Sequence, residues 1–267
     1  MFAENSNESW HQRYGVDAQG IPAELAPFLA HRSVRHYTDE PISEETLSGL
    51  IAAAQSAATS SNLQSWSVIS IDDPDRRKAI SEACDHQKQV VTAPVFLVFL
   101  ADLNRIYQYA LKAGVEPDGL DTVEMYTVAV IDAALAAERL VCAAESLGYG
   151  ICYIGALRNH PDKIKNLLNL PDKTFGVFGL CIGRPVENSR ASIKPKLAQD
   201  QILFHDHYPA SLDSGEYDAR MIEFFEAMGM ASDEPWSAKS GKRVMTTGLS
   251  GREELLSHLH EQGLLER

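Results

Sequence analysis

Residues Gly148-Tyr149-Gly150-Ile151-Cys152-Tyr153-Ile154-Gly155 decide between two architectures for this chain. A Gly-x-Gly pair invites comparison with the first turn of a doubly wound dinucleotide-binding fold, where a strand precedes the glycines and a helix follows. Here the order is reversed. The Ala-rich segment 122–147 reads as a helix that Gly148 caps. Residues 150–155 then read as a short apolar strand, and the third glycine is missing. The doubly wound reading is therefore rejected, and no Gly-x-x-x-x-Gly-Lys-[Ser/Thr] occurs to suggest a P-loop.

Working outward, Val128, Ile131, Ala134, Leu135, Leu140 and Val141 spread apolar groups round the 122–147 helix, which predicts burial in the core or at a subunit interface. Downstream, Pro161 suits the first turn of a helix to residue 168, and 175–182 reads as a strand. Upstream, the apolar run 94–101 reads as a buried strand and 66–71 as another. Asp72-Asp73-Pro74-Asp75 is a turn that caps a helix over 76–84. Ser43 caps a helix whose glutamates 44 and 45 suit its positive end, and Leu47, Leu50, Ile51 and Ala54 form the core-facing stripe. Residues 102–120 suggest a helix followed by an excursion, and 23–30 a short helix. Residues 1–20 read as a flexible or loosely docked extension, 183–215 as loop, 217–228 as a helix, 232–247 as polar and mobile, and 253–266 as a final amphipathic helix. Strands interleaved with helices predict an α+β or α/β layer architecture.

Composition narrows the function. The 267 residues suffice for one large domain or two modest ones. A formal net charge of −13 argues against nucleic-acid or anionic-membrane partners. Cys84, Cys142, Cys152 and Cys181 form no C-x-x-C pair, as expected of a reduced, intracellular protein. Residues 1–20 lack the apolar stretch of a secretory signal, and no apolar run approaches the roughly 18 residues of a membrane span, so a cytoplasmic location is expected. His205-Asp206-His207 lacks a third ligand in recognisable spacing and no H-E-x-x-H occurs, so no metal is expected. No G-x-S-x-G is present, and Cys152 sits in an apolar strand with nothing to stabilise a thiolate.

Three polar clusters remain. His31-Arg32-Ser33-Val34-Arg35 gathers cations and a hydroxyl against an acidic background. Thr59-Ser60-Ser61-Asn62 offers hydroxyls and accessible amides, and Lys194-Pro195-Lys196 sets two cations about a stiff proline. Together they predict a phosphate-bearing ligand gripped from distant parts of the chain.

These clusters resemble, in order, the motifs of the nitroreductase superfamily, nearest its oxygen-insensitive NAD(P)H nitroreductases and FMN-dependent flavin reductases. Tyr37-Thr38-Asp39-Glu40-Pro41-Ile42, Gln87-Lys88, Ala144-Glu145-Ser146-Leu147-Gly148, Tyr153-Ile154-Gly155-Ala156-Leu157-Arg158-Asn159, residues 178–185 and Lys194-Pro195-Lys196-Leu197 extend the series over residues 25–267. The resemblance implies an α+β homodimer with a mixed, mainly antiparallel sheet flanked by helices, and FMN at two sites along the subunit interface. It divides the chain into an extension (1–22), an FMN-binding core (23–215) and a C-terminal helical extension (216–267) with a mobile nucleotide-contacting segment. It places Arg32, Arg35, Lys194 and Lys196 round the flavin phosphate and ribityl chain, with His31 and Ser33 beside them. Thr59 and Ser61 would approach the flavin, Gln87 would bond its ring edge or ribityl chain, and Tyr153, Ile154, Gly155 and Ala156 would line the isoalloxazine. No side chain is assigned as a catalytic acid or base. The implied reaction passes a hydride from NADPH or NADH to the flavin, and electrons then to a nitroaromatic, quinone or flavin acceptor in ping-pong order.

The chain departs from that pattern in three places. Ala156 stands where a second glycine is common, and Lys196 replaces a frequent arginine, losing its bidentate fork. Ser232-Asp233-Glu234-Pro235 precedes Trp236 where NADPH-preferring relatives carry arginines, with Lys239, Lys242 and Arg243 just downstream. Other readings are a reduced-flavin-dependent dehalogenase or flavin-destroying enzyme, a flavin-binding sensor or storage protein, and a phosphometabolite-binding α/β domain.

Overall fold

The computed structural model describes residues 6–187, 191–230 and 234–267. Its α-helices are α1 (Ser6–Tyr14), α2 (Ala26–Leu29), α3 (Glu44–Gln55), α4 (Pro74–Ala83), α5 (Gln89–Thr92), α6 (Asn104–Lys112), α7 (Val123–Ser146), α8 (Pro161–Leu168), α9 (Gly215–Ala227), α10 (Trp236–Arg243) and α11 (Leu255–Glu261). The strands are β1 (Trp66–Ser70), β2 (Val95–Asp102), β3 (Gly150–Ile154) and β4 (Thr174–Gly183). They form one sheet in the order β1-β2-β4-β3, with every neighbouring pair antiparallel. The chain divides into two compact units: Met1–Arg32 with Arg190–Leu249, and Ser33–Ser189 with Ser250–Arg267.

The sheet unit has helices on both faces, and β2 shows why. Side chains alternate across a strand, so Val95, Leu97, Phe99 and Ala101 join one core while Phe96, Val98 and Leu100 join the other. All eight residues of β2 are buried, as a strand covered on both sides requires. Leu50 and Ala54 of α3 and the small face of α7 (Ala129, Ala133, Ala136, Ala137, Ala144) complete the first core. Ile80 and Ala83 of α4, Val90 of α5, and Ile164 and Leu168 of α8 complete the second. Burial pushes the Cys84 thiol up to about 12 and also holds that of Cys181 well above the usual thiol range, so these cysteines behave as small hydrophobes.

Expected caps are in place. Ser43 Oγ accepts from Thr46 N at 3.2 Å, and Asp73 Oδ1 from Arg76 N at 2.6 Å. Gly148 follows α7 with φ of 79°. The long helix is buried along one side only: Ile131 and Leu135 stay 50% and 45% exposed.

The other unit holds the main departures. Residues 6–14, within a segment expected to be flexible or loosely docked, form α1, whose Ser9 is fully buried. A polar sequence hid this, because the helix is held by a buried arginine rather than by an apolar stripe. Of the segment expected to be mobile, 236–243 is helical; Tyr217 and Trp236 meet edge to face at 5.0 Å, and Asp218 accepts from Ser237 N and Oγ at 2.8 and 2.6 Å. Ser232 and Asp233 lie outside the described residues. In the sheet unit, the final helix is shorter than the expected 253–266, because 252–254 is a 3-10 turn.

Candidate functional site

The free edge of β3 is covered by the first cluster. Ser33 forms an isolated parallel bridge with Ile151 and Val34 N donates to Ile151 O at 2.8 Å, so the 33–35 segment is tied to the sheet edge at one point. Val34 is buried, which leaves Arg35 exposed. The Tyr37 hydroxyl donates to Val34 O at 2.5 Å, and burial holds its pKa far above the phenol range, so this donor stays protonated. Close approach depends on Gly150. A Cβ there would lie 2.6 Å from Val34 Cγ2 and 2.7 Å from Val34 Cβ. Gly150→Ala is therefore expected to destabilise the protein by about 1–3 kcal/mol through overpacking, read by urea denaturation.

At the far end of β3, Tyr153 is half-buried, Ile154 is buried, and Gly155 and Ala156 open the 3-10 turn Gly155–Asn159. The Tyr153 ring meets Phe178 edge to face at 5.2 Å, and its hydroxyl donates to Glu138 Oε2 of α7 at 3.1 Å. Burial, reinforced by the Glu138 carboxylate, raises the Tyr153 pKa and keeps that donor protonated. Gln87 lies on a neighbouring turn. Its Oε1 accepts from Gln89 Nε2 at 2.7 Å, which leaves its own amide N–H groups to donate elsewhere. That turn is joined to the Gly155–Asn159 turn by Asn159 Nδ2 donating to Asp85 Oδ2 at 2.5 Å. The structure thus connects Ser33, Arg35, Gln87 and residues 153–156 through β3 and the turns beyond it.

Thr59 and Ser61 belong to a different framework. Their loop is fixed by Asp132 of α7, which is fully buried and accepts from Ser60 N at 3.1 Å and Ser65 N at 3.0 Å. Ser61, Asn62 and Gln64 all have positive φ (49°, 54° and 53°). Thr59 lines a 630 Å³ cavity with Gln64, Trp66 and Arg105. Asp132 belongs to no motif in the sequence; its one signal there is a lone carboxylate amid Val128, Ala129, Ala133 and Ala136.

In the other unit, Arg13 ties the main chain of His31 to that of Lys196, a link that no motif in the sequence marks. Arg13 donates from Nε to Leu29 O and from Nη2 to His31 O, both at 2.9 Å, while its own carbonyl accepts from Lys196 N at 2.8 Å. Arg32 Nη1 donates to Ala30 O at 3.3 Å. Ile193 and Pro195 are buried, and Lys194 and Lys196 between and after them are exposed. This alternation leaves both lysines on the surface.

The sheet unit is thus a layered α+β domain, one antiparallel sheet with a helix-covered core on each face. Residues 29–184 match the nitroreductase family, and residues 194–267 match its C-terminal domain. The chain belongs to the nitroreductase family. It is 37% identical over 220 residues to the FMN reductase (NADPH) of Bacillus subtilis, covering 80% of this chain and 88% of that protein. An NADPH-dependent oxidoreductase of Staphylococcus aureus is 33% identical over 244 residues, covering 89% and 96%. Among solved structures, a nitroreductase from B. subtilis superposes with a TM-score of 0.84 at 33% identity, covering 91% of this chain and 99% of that one. The NADPH:FMN oxidoreductase of Vibrio harveyi, complexed with NAD+, gives 0.79 at 30% identity, covering 91% and 99%.

Proposed function

We propose that this chain is an FMN-dependent oxidoreductase that takes a hydride from NADPH or NADH and delivers electrons to a nitroaromatic, quinone or free flavin. Within that family, the observation that carries the reading is the seating of Ser33 and Val34 against β3, which ends at Ile154 and runs into Gly155 and Ala156. The residues present fit the cofactor. A phosphate needs charged donors, and Arg35, Lys194 and Lys196 are exposed cations. A flat ring system needs an apolar wall with main-chain donors, and Ile154 and Tyr153 lead into Gly155 and Ala156, whose N–H groups stand at the start of a 3-10 turn.

When bound, FMN supplies the redox chemistry, accepting a hydride from reduced nicotinamide and returning electrons to a second substrate in turn. The protein's part is binding and orientation. The family resemblance gives Arg32, Arg35, Lys194 and Lys196 the phosphate and ribityl chain, with His31 and Ser33 beside them. Gln87 presents its amide to the ribityl chain or ring edge, and Thr59 and Ser61 approach the flavin. No side chain is assigned as acid or base, and solvent supplies protons. Ile131 and Leu135, exposed on α7 with Val123 at its start, support a homodimer. A cytoplasmic setting suits four free cysteines; among the described residues no helix is long and apolar enough to cross a membrane.

Glu234 bears on coenzyme choice. It pairs with Lys242 at 2.5 Å, which occupies a cation otherwise available to a 2′-phosphate. Glu234→Gln is expected to lower KM for NADPH about threefold, with KM for NADH unchanged; Lys242 is exposed and Glu234 partly so, and a larger effect is not expected. The reading as a whole is tested by anaerobic titration of the FMN-loaded protein with NADPH and NADH in parallel. Bleaching of the flavin by at least one of them is expected. A protein that takes up no FMN, or whose flavin neither coenzyme bleaches, overturns it.

A further inference from the structure

Asn159 is 4% exposed, and both ends of its side chain are engaged. Nδ2 donates to Asp85 Oδ2 at 2.5 Å, and Oδ1 accepts from Arg252 Nε at 2.8 Å. Arg252 continues the chain of bonds, donating from Nη2 to Gly155 O at 3.1 Å. A carboxylate only accepts and a guanidinium only donates. A short side chain placed between them must donate at one end and accept at the other, which an amide does and a carboxylate or aliphatic group does not.

The two turns joined in this way are ones that need holding. Asp85 and His86 both have φ of 56°, left-handed backbone in two consecutive non-glycine residues immediately before Gln87. His86 N donates to Ser81 O at 2.8 Å and Ser81 Oγ to Gln87 O at 3.0 Å, which anchor the turn to α4. The Asp85 side chain anchors it to Asn159. On the other side, Gly251 has φ of 83°, and a Cβ there would stand 2.8 Å from Asn159 O. The backbone before Arg252 is thus pressed against Asn159.

We propose that Asn159 is a positioning residue for the cofactor site, locking the Gln87 turn and the Gly155 carbonyl into one fixed arrangement through Asp85 and Arg252. The proposal rests on the reading that Gln87 and residues 153–156 line FMN. Asn159 itself touches neither cofactor nor substrate; it acts through its two partners.

The test is a polarity swap. Asn159→Asp sets a carboxylate against Asp85 and is expected to weaken FMN binding about tenfold or more, measured by fluorescence quenching, and to change the visible circular dichroism of bound flavin. In the double variant Asp85→Asn/Asn159→Asp, donor and acceptor trade ends and position 159 still accepts from Arg252. Affinity and flavin dichroism are expected to return to within about twofold of the parent. Thermal midpoints are read alongside. A single variant that melts earlier yet keeps parental affinity and dichroism reduces Asn159 to scaffolding and overturns the proposal, as does a double variant no better than the single. Should Asn159→Asp not fold, Asp85→Asn serves instead, with about threefold weaker binding expected and recovery on adding the swap. A parent protein that takes up no FMN, or a Gln87→Ala variant with parental affinity, overturns the functional reading itself; a parent that binds FMN with a silent swap overturns only the role of Asn159.

Discussion

Arg35→Ala is expected to fold as the parent does and to bind FMN about tenfold to a hundredfold more weakly, the loss of a charge-assisted hydrogen bond to phosphate. The fold should survive because the segment is held by its neighbours. Val34 N bonds Ile151 O, the Val34 side chain is buried, and the Tyr37 hydroxyl closes on Val34 O, while Arg35 itself is exposed. Arg35→Lys separates charge from geometry. It keeps a cation but loses the fork, and an intermediate affinity is expected. Equilibrium fluorescence titration with FMN measures both, with urea denaturation as the control for folding. Tight, stoichiometric flavin in Arg35→Ala would remove this residue from the phosphate site.

Asp132→Ala should act on stability first. The carboxylate is fully buried, and its two oxygens accept from Ser60 N and Ser65 N. Removing it leaves both N–H groups without their acceptor, at about 1–3 kcal/mol for each that stays buried. The freed loop can then relax Ser61, Asn62 and Gln64 out of left-handed backbone, which returns about 1 kcal/mol for each that does and offsets part of that loss. A total destabilisation of about 3 kcal/mol is expected from urea denaturation. Asp132→Asn keeps one acceptor and sets an amide N–H₂ against the other backbone N–H, so about half that loss is expected. Because Thr59 and Ser61 ride on the loop, FMN affinity should fall in both variants. A stability loss below about 1 kcal/mol would show that the loop holds its shape without the carboxylate.

Much of the fold was legible because its determinants are local. Strand 94–101 is an unbroken apolar run, and Ser43, Asp73 and Gly148 mark helix ends by chemistry that acts within one turn. The reversed helix–glycine–strand order at Gly148 was enough to reject a doubly wound sheet. The misreadings have a common cause. α1 and α10 are polar helices, and what stabilises them is supplied from elsewhere: Arg13 bonding the carbonyls of Leu29 and His31, and Asp218 receiving Ser237. A hydrophobic pattern carries no record of such partners.

The candidate site divides along the same line. Sequence alone determined which residue types are offered to a ligand: the cations and hydroxyls of residues 31–35, the hydroxyls of 59–62, the lysines about Pro195, and the apolar stretch that ends at Gly155. Their ordered spacing also carried the family. Tertiary structure decided how they are held. Val34 sits against β3 because Gly150 leaves room for its side chain, and the hydroxyl loop is pinned by Asp132, which reaches it across 72 residues of chain. Asn159 joined two turns through partners 74 residues before it and 93 after. Backbone caps and periodicities are written within a few residues, whereas a buried polar group finds its partner only once the chain has closed around it.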